Sequence, residues 1–373
     1  VDSLPNDKSV RFKRSTLSVA GQQDLFTEPP SISRFPPTRY QGSKYKLLEW
    51  LWASIQHLDF DNCLDLFSGT ACVSYLFKVK GKEVTANDYL RCNQTVAQAL
   101  IVNEGATLDA TVAESLFERH DERPYRRFIE DTFREVFFLD SENAWLDVVA
   151  QNLMTLERPF QRQIALFALF QACLAKRPYN LFHRANLYMR TAEVVRNFGN
   201  KVTWDKPFPE HFLAVRADAN RAVFRSGRSH RATCADFREV QGNFDLVYMD
   251  PPYLNAKGTG VDYLDFYHFL EGLTDYDAWP SRLTEKYKHK PFHRRPNPWN
   301  KKAQILSAFS DAIDRYKDSI IVISYRNNGI PSVEELSKLL AHHGRHDATS
   351  NSCDYKYVLS NAKGKEILMI SEP

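Results

Sequence analysis

The 373-residue chain has no apolar run approaching the ~20 residues of a membrane-spanning helix. Its first 37 residues, Val1 to Pro37, contain no apolar signal core, so secretion is not expected and a cytoplasmic location is. None of the six cysteines, Cys63, Cys72, Cys92, Cys173, Cys234 and Cys353, forms a C-x-x-C pair. That argues against structural zinc; the thiols read as reduced, packed side chains, and no metal site is expected. A net charge of only +3 excludes neither acidic nor neutral partners. Internal repeats are absent. So is a G-x-G-x-x-G loop, which disfavours a dinucleotide whose pyrophosphate would need it. What remains is ordinary for a globular protein, 43% hydrophobic and 25% charged, and long enough for a large core and two domains.

One stretch organises the rest, Phe244-Asp-Leu-Val-Tyr-Met-Asp-Pro-Pro-Tyr253. Leu246 to Met249 read as a short buried strand. The two prolines fix φ and remove donors, and Pro251 pushes the residue before it to extended geometry. Asp250 is therefore held at the carboxyl end of a strand, with the Pro251 carbonyl free and Tyr253 able to lie as a flat lid. In open α/β sheets ligands bind at that end.

A strand–turn–helix–strand unit lies earlier. Cys63-Leu-Asp-Leu-Phe-Ser-Gly-Thr-Ala71 reads as a strand and glycine turn, Cys72 to Val79 as a helix, and Glu83 to Ala86 as a second strand ending in Asn87-Asp88. An acid at the end of the second strand suits ribose hydroxyls, and a nucleoside without phosphates fits better than a dinucleotide; a plain βαβ unit with capping acids gives the same pattern. Before it, Arg39-Tyr-Gln-Gly-Ser-Lys-Tyr45 is a small-residue turn opening onto a helix with apolar spacing from 47 to 58. Its N–H groups suit a carboxylate or phosphate, or simply cap the helix.

Residues 90–215 have a mostly helical pattern. Lys176-Arg-Pro-Tyr-Asn-Leu-Phe-His-Arg-Ala-Asn186 interleaves bases, rings and amides, as a nucleic-acid backbone contact or a solvated helix edge would. Residues 286–302 carry seven Lys or Arg, two His and no acid, together with Tyr287, Phe292 and Trp299, which favours a DNA-facing loop. Ser319 to Ser324 reads as a buried strand and Val333 to Leu340 as a helix. Tyr355–Ser360 and Glu366–Ser371 read as a closing hairpin.

In this order the motifs resemble the Dam-like adenine-specific DNA methyltransferases. Arg39-Tyr-Gln-Gly-Ser-Lys44 is similar to the motif that precedes the cofactor loop, Asp65-Leu-Phe-Ser-Gly69 to that loop, and Asp250-Pro-Pro-Tyr253 to the catalytic motif. Arg177 to Asn186 and Phe198-Gly199 are similar to the segment at the DNA interface. The match covers roughly 38–373. One departure stands out: the family loop is usually F-x-G-x-G, and Ala71 replaces its second glycine.

The resemblance implies an α/β fold, a Rossmann-like methyltransferase sheet with a helical, basic target-recognition region. Residues 38–95 and 230–373 would form the catalytic domain, 96–229 the recognition region, 280–304 a basic loop at the DNA, and 1–37 a poorly ordered tail. It implies S-adenosyl-L-methionine as cofactor, held by Arg39, Tyr40, Lys44, Asp65, Phe67, Ser68, Gly69, Asn87, Asp88, Asp236 and Phe237. Lys44 would hold its methionine carboxylate, Asp65 its amine, Asp88 its ribose and Asp236 its adenine. Asp250, Pro251, Pro252 and Tyr253 would be catalytic. Lys176, Arg177, Asn180, Arg184, Asn186, Lys290, Arg294 and Arg295 would contact double-stranded DNA. A monomer is expected, with a restriction endonuclease as possible partner. A weak or inactive DNA-binding homologue, or an enzyme acting on RNA, is the alternative.

Overall fold

The computed structural model describes residues 30–192, 201–255, 258, 260–355 and 364–373. Most of the expected tail, the Phe198-Gly199 pair and residues 356–360 of the expected hairpin lie outside the described residues. Ser31 to Pro373 form one compact unit.

A seven-stranded sheet runs through it. Its strands are β1 (Asn62–Asp65), β2 (Glu83–Asp88), β3 (Arg231–Cys234), β4 (Leu246–Met249), β5 (Ile320–Arg326), β6 (Thr349–Tyr355) and β7 (Gly364–Ser371), in the spatial order 3-2-1-4-5-7-6. The first five are parallel; β7 runs antiparallel between β5 and β6. The central strand β4 is apolar and buried along its whole length because both of its faces are covered. In β4, Leu246 and Tyr248 face the core under the helices Leu48–Ile55 and Cys72–Val79. Val247 and Met249 face the core under Ile305–Arg315 and Val333–His342.

Parallel pairing puts the carboxyl ends of β1, β2 and β4 on one edge, and so gathers Asp65, Asp88 and Asp250. The reversed direction of β7 brings its first residues to that same edge, where Glu366 stands opposite Arg326.

The helical segment between β2 and β3 shares this core. The helix Pro159–Ala175 is buried from Ile164 to its end and contributes its apolar residues from Ile164 to Leu174 to the same cluster as β1 and β4. Its neighbour Phe208–Ala222 is tied to the sheet side by Tyr75, whose hydroxyl donates to the Ala222 carbonyl at 2.7 Å.

The hairpin differs from its expected placement. Among the described residues, β7 pairs with Thr349–Tyr355 as well as with β5, so its described hairpin arm begins upstream of the expected one and shares Tyr355 with it. This strand, Thr-Ser-Asn-Ser-Cys-Asp-Tyr, is a mostly exposed edge strand, so no apolar alternation marks it.

Candidate active site

Asp250 follows the buried end of β4, as the Asp-Pro-Pro sequence demands. Its Oδ1 lies 3.0 Å from the Lys44 ammonium. The same ammonium lies 2.7 Å from Glu366 Oε1, which also accepts from the Ser324 hydroxyl at 2.7 Å. Lys44 is 5% exposed and Glu366 0%, so this is an interior cluster. Burial works against a charge on Lys44, but Asp250 and Glu366 outweigh it and hold its pKa well above the ordinary value. Burial pushes the Asp250 carboxyl up to about 6, against the pull of Lys44.

Beside this cluster, β1 ends in Asp65. One oxygen, Oδ2, accepts from the Ser74 hydroxyl at 2.7 Å and the Ser74 N–H at 3.2 Å. The other, Oδ1, is buried with no partner among the described residues, and so is Ser68 Oγ. Burial raises the Asp65 pKa to about 7. A buried carboxylate oxygen with nothing to accept from is costly unless a donor arrives. An ammonium is such a donor, so this corner fits the amine of an amino-acid-bearing cofactor.

Asp88, at the end of β2, accepts from the Gly69 N–H at 3.0 Å and the Leu90 N–H at 2.9 Å; burial lifts its pKa to about 6. Gly69 has φ +50°, and a Cβ there would meet the Tyr40 ring at 3.4 Å. Ala71 has φ +59°, a left-handed conformation that glycine adopts more readily than alanine. Asn87 is a clamp: its amide donates to the Leu66 and Ala235 carbonyls and accepts from Thr233. Its side chain is thereby committed to joining β1, β2 and β3.

The segment from Tyr40 to Lys44 is fastened to the helix Tyr263–Leu273. Tyr40 stacks on Tyr267 with ring centroids 4.5 Å apart and on Tyr263 at 5.7 Å. The Gln41 N–H donates to the Tyr267 hydroxyl at 2.8 Å.

One pocket is lined by Tyr40, Lys44, Asp65, Phe67, Ser68 and Gly69, by Asn87, Asp88, Asp236 and Phe237, and by Asp250 to Tyr253. Sequence positions scattered over more than 200 residues thus converge. Residues 40–339 match the D12 class N6 adenine-specific DNA methyltransferase family. The chain belongs to that family. It is 28% identical over 320 residues to the type II methyltransferase M2.HphI of Haemophilus parahaemolyticus, covering 84% of this chain and 89% of that one. It is 24% identical over 324 residues to M.NlaIII of Neisseria lactamica, covering 83% and 89%. With M.FokI of Planomicrobium okeanokoites it shares 24% over 341 residues, 82% of this chain and 47% of that one. This is an N6-adenine DNA methyltransferase related to those of restriction-modification systems, and its family implies S-adenosylmethionine and a DNA substrate.

Several expected residues in this methyltransferase sit elsewhere than the sequence suggests. Arg39 does not line the pocket; its backbone N–H is held by Gln171 Oε1 at 2.8 Å. Lys176 and Arg177 are interior groups, 2% and 1% exposed, and cannot reach a phosphate. Lys176 pairs with Glu142 at 2.7 Å. Arg177 donates to the carbonyls of Leu181, Phe137 and Arg184, and its guanidinium lies over the rings of Phe137 and Phe182. Burial lowers its pKa to about 9. Both residues shape the loop after the helix Pro159–Ala175. Arg184 is exposed, Asn180 half-buried with φ +57°, and Asn186 buried, its Oδ1 without a partner among the described residues. Lys290 pairs with Glu285, whereas Arg294 and Arg295 are exposed.

The basic loop divides in two. Its far end, Pro296 to Trp299, is a pocket wall. Trp299 is 4% exposed and edge-on to Phe67 at 5.0 Å and Phe237 at 5.1 Å. Sequence reasoning read this tryptophan as DNA-facing. It also missed Glu366, whose signal was a lone acid heading an apolar strand.

Proposed function

We propose that this chain methylates N6 of an adenine extruded from double-stranded DNA, with S-adenosylmethionine as donor and Asp250 as the residue that grips the amine. The observation that carries the reading is the shared pocket, in which Asp250 stands beside Asp65 and its unpartnered buried oxygen.

When bound, the donor supplies an electrophilic methyl group on a sulfonium, so no metal is required. The adenine amine is a poor nucleophile because its lone pair is delocalised into the ring. Asp250 and the Pro251 carbonyl accept its two N–H groups and localise that pair. Pro251 and Pro252 keep these acceptors rigid, and Tyr253 stacks on the base. Extrusion costs a few kcal/mol, which contacts to the DNA backbone offset.

Asp65 and Ser68 take the donor's amine end, Asp88 its ribose hydroxyls, and Asp236 with Phe237 its adenine, while Tyr40, Phe67 and Gly69 shape the walls. Lys44 is assigned to Asp250 and Glu366 rather than to the donor's carboxylate. Arg184, Arg294 and Arg295 contact the DNA backbone. The left-handed Ala71 keeps the turn in the glycine conformation, which supports an active enzyme over a degenerate one. Action as a monomer in the cytoplasm, beside a cognate endonuclease, fits the same reading.

Tritium transfer from labelled S-adenosylmethionine to adenine-unmethylated plasmid DNA tests it, with RNA as the parallel substrate. Label in DNA adenine is the expected result. Label in RNA alone, or in neither, would sink the proposal. Asp250→Ala should abolish transfer while DNA binding survives.

A further inference from the structure

Glu366 is a fully buried acid at the head of β7, followed by Ile367, Leu368, Met369 and Ile370, all buried. Burying a carboxylate in such a strand is strongly disfavoured without a partner. Its partners include the Ser324 hydroxyl and the Lys44 ammonium, each 2.7 Å from Oε1. Lys44 and Asp250 line the pocket and Glu366 does not. The ammonium therefore sits between an acid that faces the substrate and one behind it, and it is closer to the one behind, at 2.7 Å against 3.0 Å.

Resting on the methyl-transfer reading above, we infer that Glu366 is a positioning residue for the reaction. It holds the Lys44 ammonium from behind, so that Lys44 does not saturate Asp250, and it leaves the cluster with one surplus negative charge facing the target amine. Of these three groups taken alone, two carboxylates and one ammonium sum to minus one; a neutral residue at 366 removes one negative charge from the site. During transfer the amine nitrogen bonds to the methyl carbon, and the carbon–sulfur bond breaks with its electron pair kept on sulfur. The nitrogen becomes positive until one of its protons leaves to Asp250 and then to water. A surplus negative charge close to that nitrogen stabilises the transition state more than the neutral ground-state amine.

Among the described residues, the groups that interact electrostatically with Asp250 include Lys44 from the turn before the first helix, Glu366 from β7, Asp65 from β1, Tyr248 and Tyr253 from its own strand and loop, Tyr263 from the helix Tyr263–Leu273, and Tyr355 from β6. Burial holds these tyrosines above their ordinary values, so they stay neutral through the working range. Of the two nearest charges, Lys44 favours ionisation of Asp250 and Glu366 opposes it.

The test is the single-turnover rate of methyl transfer to unmethylated plasmid DNA, with enzyme pre-saturated with donor, from pH 5 to pH 8, alongside thermal unfolding. Glu366→Gln keeps shape and hydrogen bonding but removes the charge. Its plateau rate should fall about tenfold, while its acid limb moves to lower pH because Asp250 ionises more easily. Glu366→Asp, which restores the charge, should keep the limb where the native enzyme has it. A rate loss in Glu366→Gln with the limb unmoved, or no change in either, overturns the assignment and leaves Glu366 a structural residue. Asp250→Ala serves as the second arm. Methylation surviving there would remove the parent reading and this inference with it; a dead Asp250→Ala beside an unmoved Glu366→Gln limb would remove this inference alone.

Discussion

The Lys44 ammonium lies 3.0 Å from Asp250 Oδ1, and both groups are turned into the interior, with side chains 6% and 16% exposed. Removing the cation leaves Asp250 and Glu366 in one buried site without the ammonium they share. Lys44→Met should cost about 3–5 kcal/mol at pH 8. The loss has a defined pH dependence. Asp250 already has a folded pKa near 6, above its unfolded value, and losing Lys44 raises it further. A raised carboxyl destabilises above the unfolded pKa and is relieved as the group protonates. The deficit should therefore shrink from pH 8 toward pH 5, as denaturant titrations at the two values would show. A deficit that grew on acidification would contradict the pairing.

Asp65 gives a second prediction. Its pKa of about 7 means that a sizeable fraction is protonated at pH 6.5 before any ligand arrives. A cationic amine placed at its unpartnered oxygen favours the ionised form and lowers that pKa, so binding releases protons in the window just below 7. Calorimetry with S-adenosylmethionine at pH 6.5, in two buffers of different ionisation enthalpy, should report release of a fraction of a proton. Affinity should weaken as pH falls toward 5.5. Asp65→Asn should bind more weakly and lose the part of the release that Asp65 contributes. Equal heats in both buffers would remove Asp65 from the amine site.

Much of this was legible in the sequence, for identifiable reasons. The Asp-Pro-Pro-Tyr clamp and the glycine turn after β1 are local devices, set by backbone restrictions that neighbours cannot override, so reading them along the chain works. Lys176 and Arg177 show where it stops. A lysine or arginine in a loop looks the same whether it faces phosphate or carbonyl groups, and the distinction here rests on Glu142 and Phe137, both more than 30 residues earlier. Glu366 is subtler. Its meaning comes from the antiparallel return of β7, which carries an acid from the end of the chain to the edge where β4 stops. Trp299 was visible as a ring among prolines, but its fate as a pocket wall rather than a stacking platform was decided by Phe67 and Phe237.

Gly272 and Trp279 yield a packing test remote from the chemistry. A Cβ built on Gly272 would lie 2.0 Å from the indole Cε2 and 2.2 Å from Cδ2 of Trp279, which is 0% exposed and edge-on to Phe269 at 5.0 Å. The indole is enclosed by the rings of Phe128, Phe133, Phe269 and Tyr276. Gly272→Ala should destabilise by about 3 kcal/mol, at the upper end of typical overpacking penalties. Thermal or urea unfolding reads this directly. A change under about 0.5 kcal/mol would mean that the interface relaxes freely, against the close packing of protein interiors.

The arginines of the two basic segments should separate cleanly by experiment. Arg177 is interior, its donors committed to three carbonyls and its plane lying over two rings. Arg177→Met would leave those carbonyls without a donor, at a cost of about 2–4 kcal/mol. The salt dependence of DNA binding by the folded fraction should stay unchanged. Arg294 and Arg295 are exposed on the rim of the loop that runs on to Trp299. Replacing both with glutamine should leave unfolding within about 0.5 kcal/mol of the native protein. If each meets a phosphate, the slope of log affinity against log salt should fall by about 0.9 per contact. Fluorescence anisotropy with a labelled duplex between 50 and 200 mM salt, run beside urea unfolding of the same variants, measures both quantities. The opposite pattern, a slope change on losing Arg177 with none on losing the exposed pair, would place the DNA over the loop after the helix Pro159–Ala175 and away from residues 286–295.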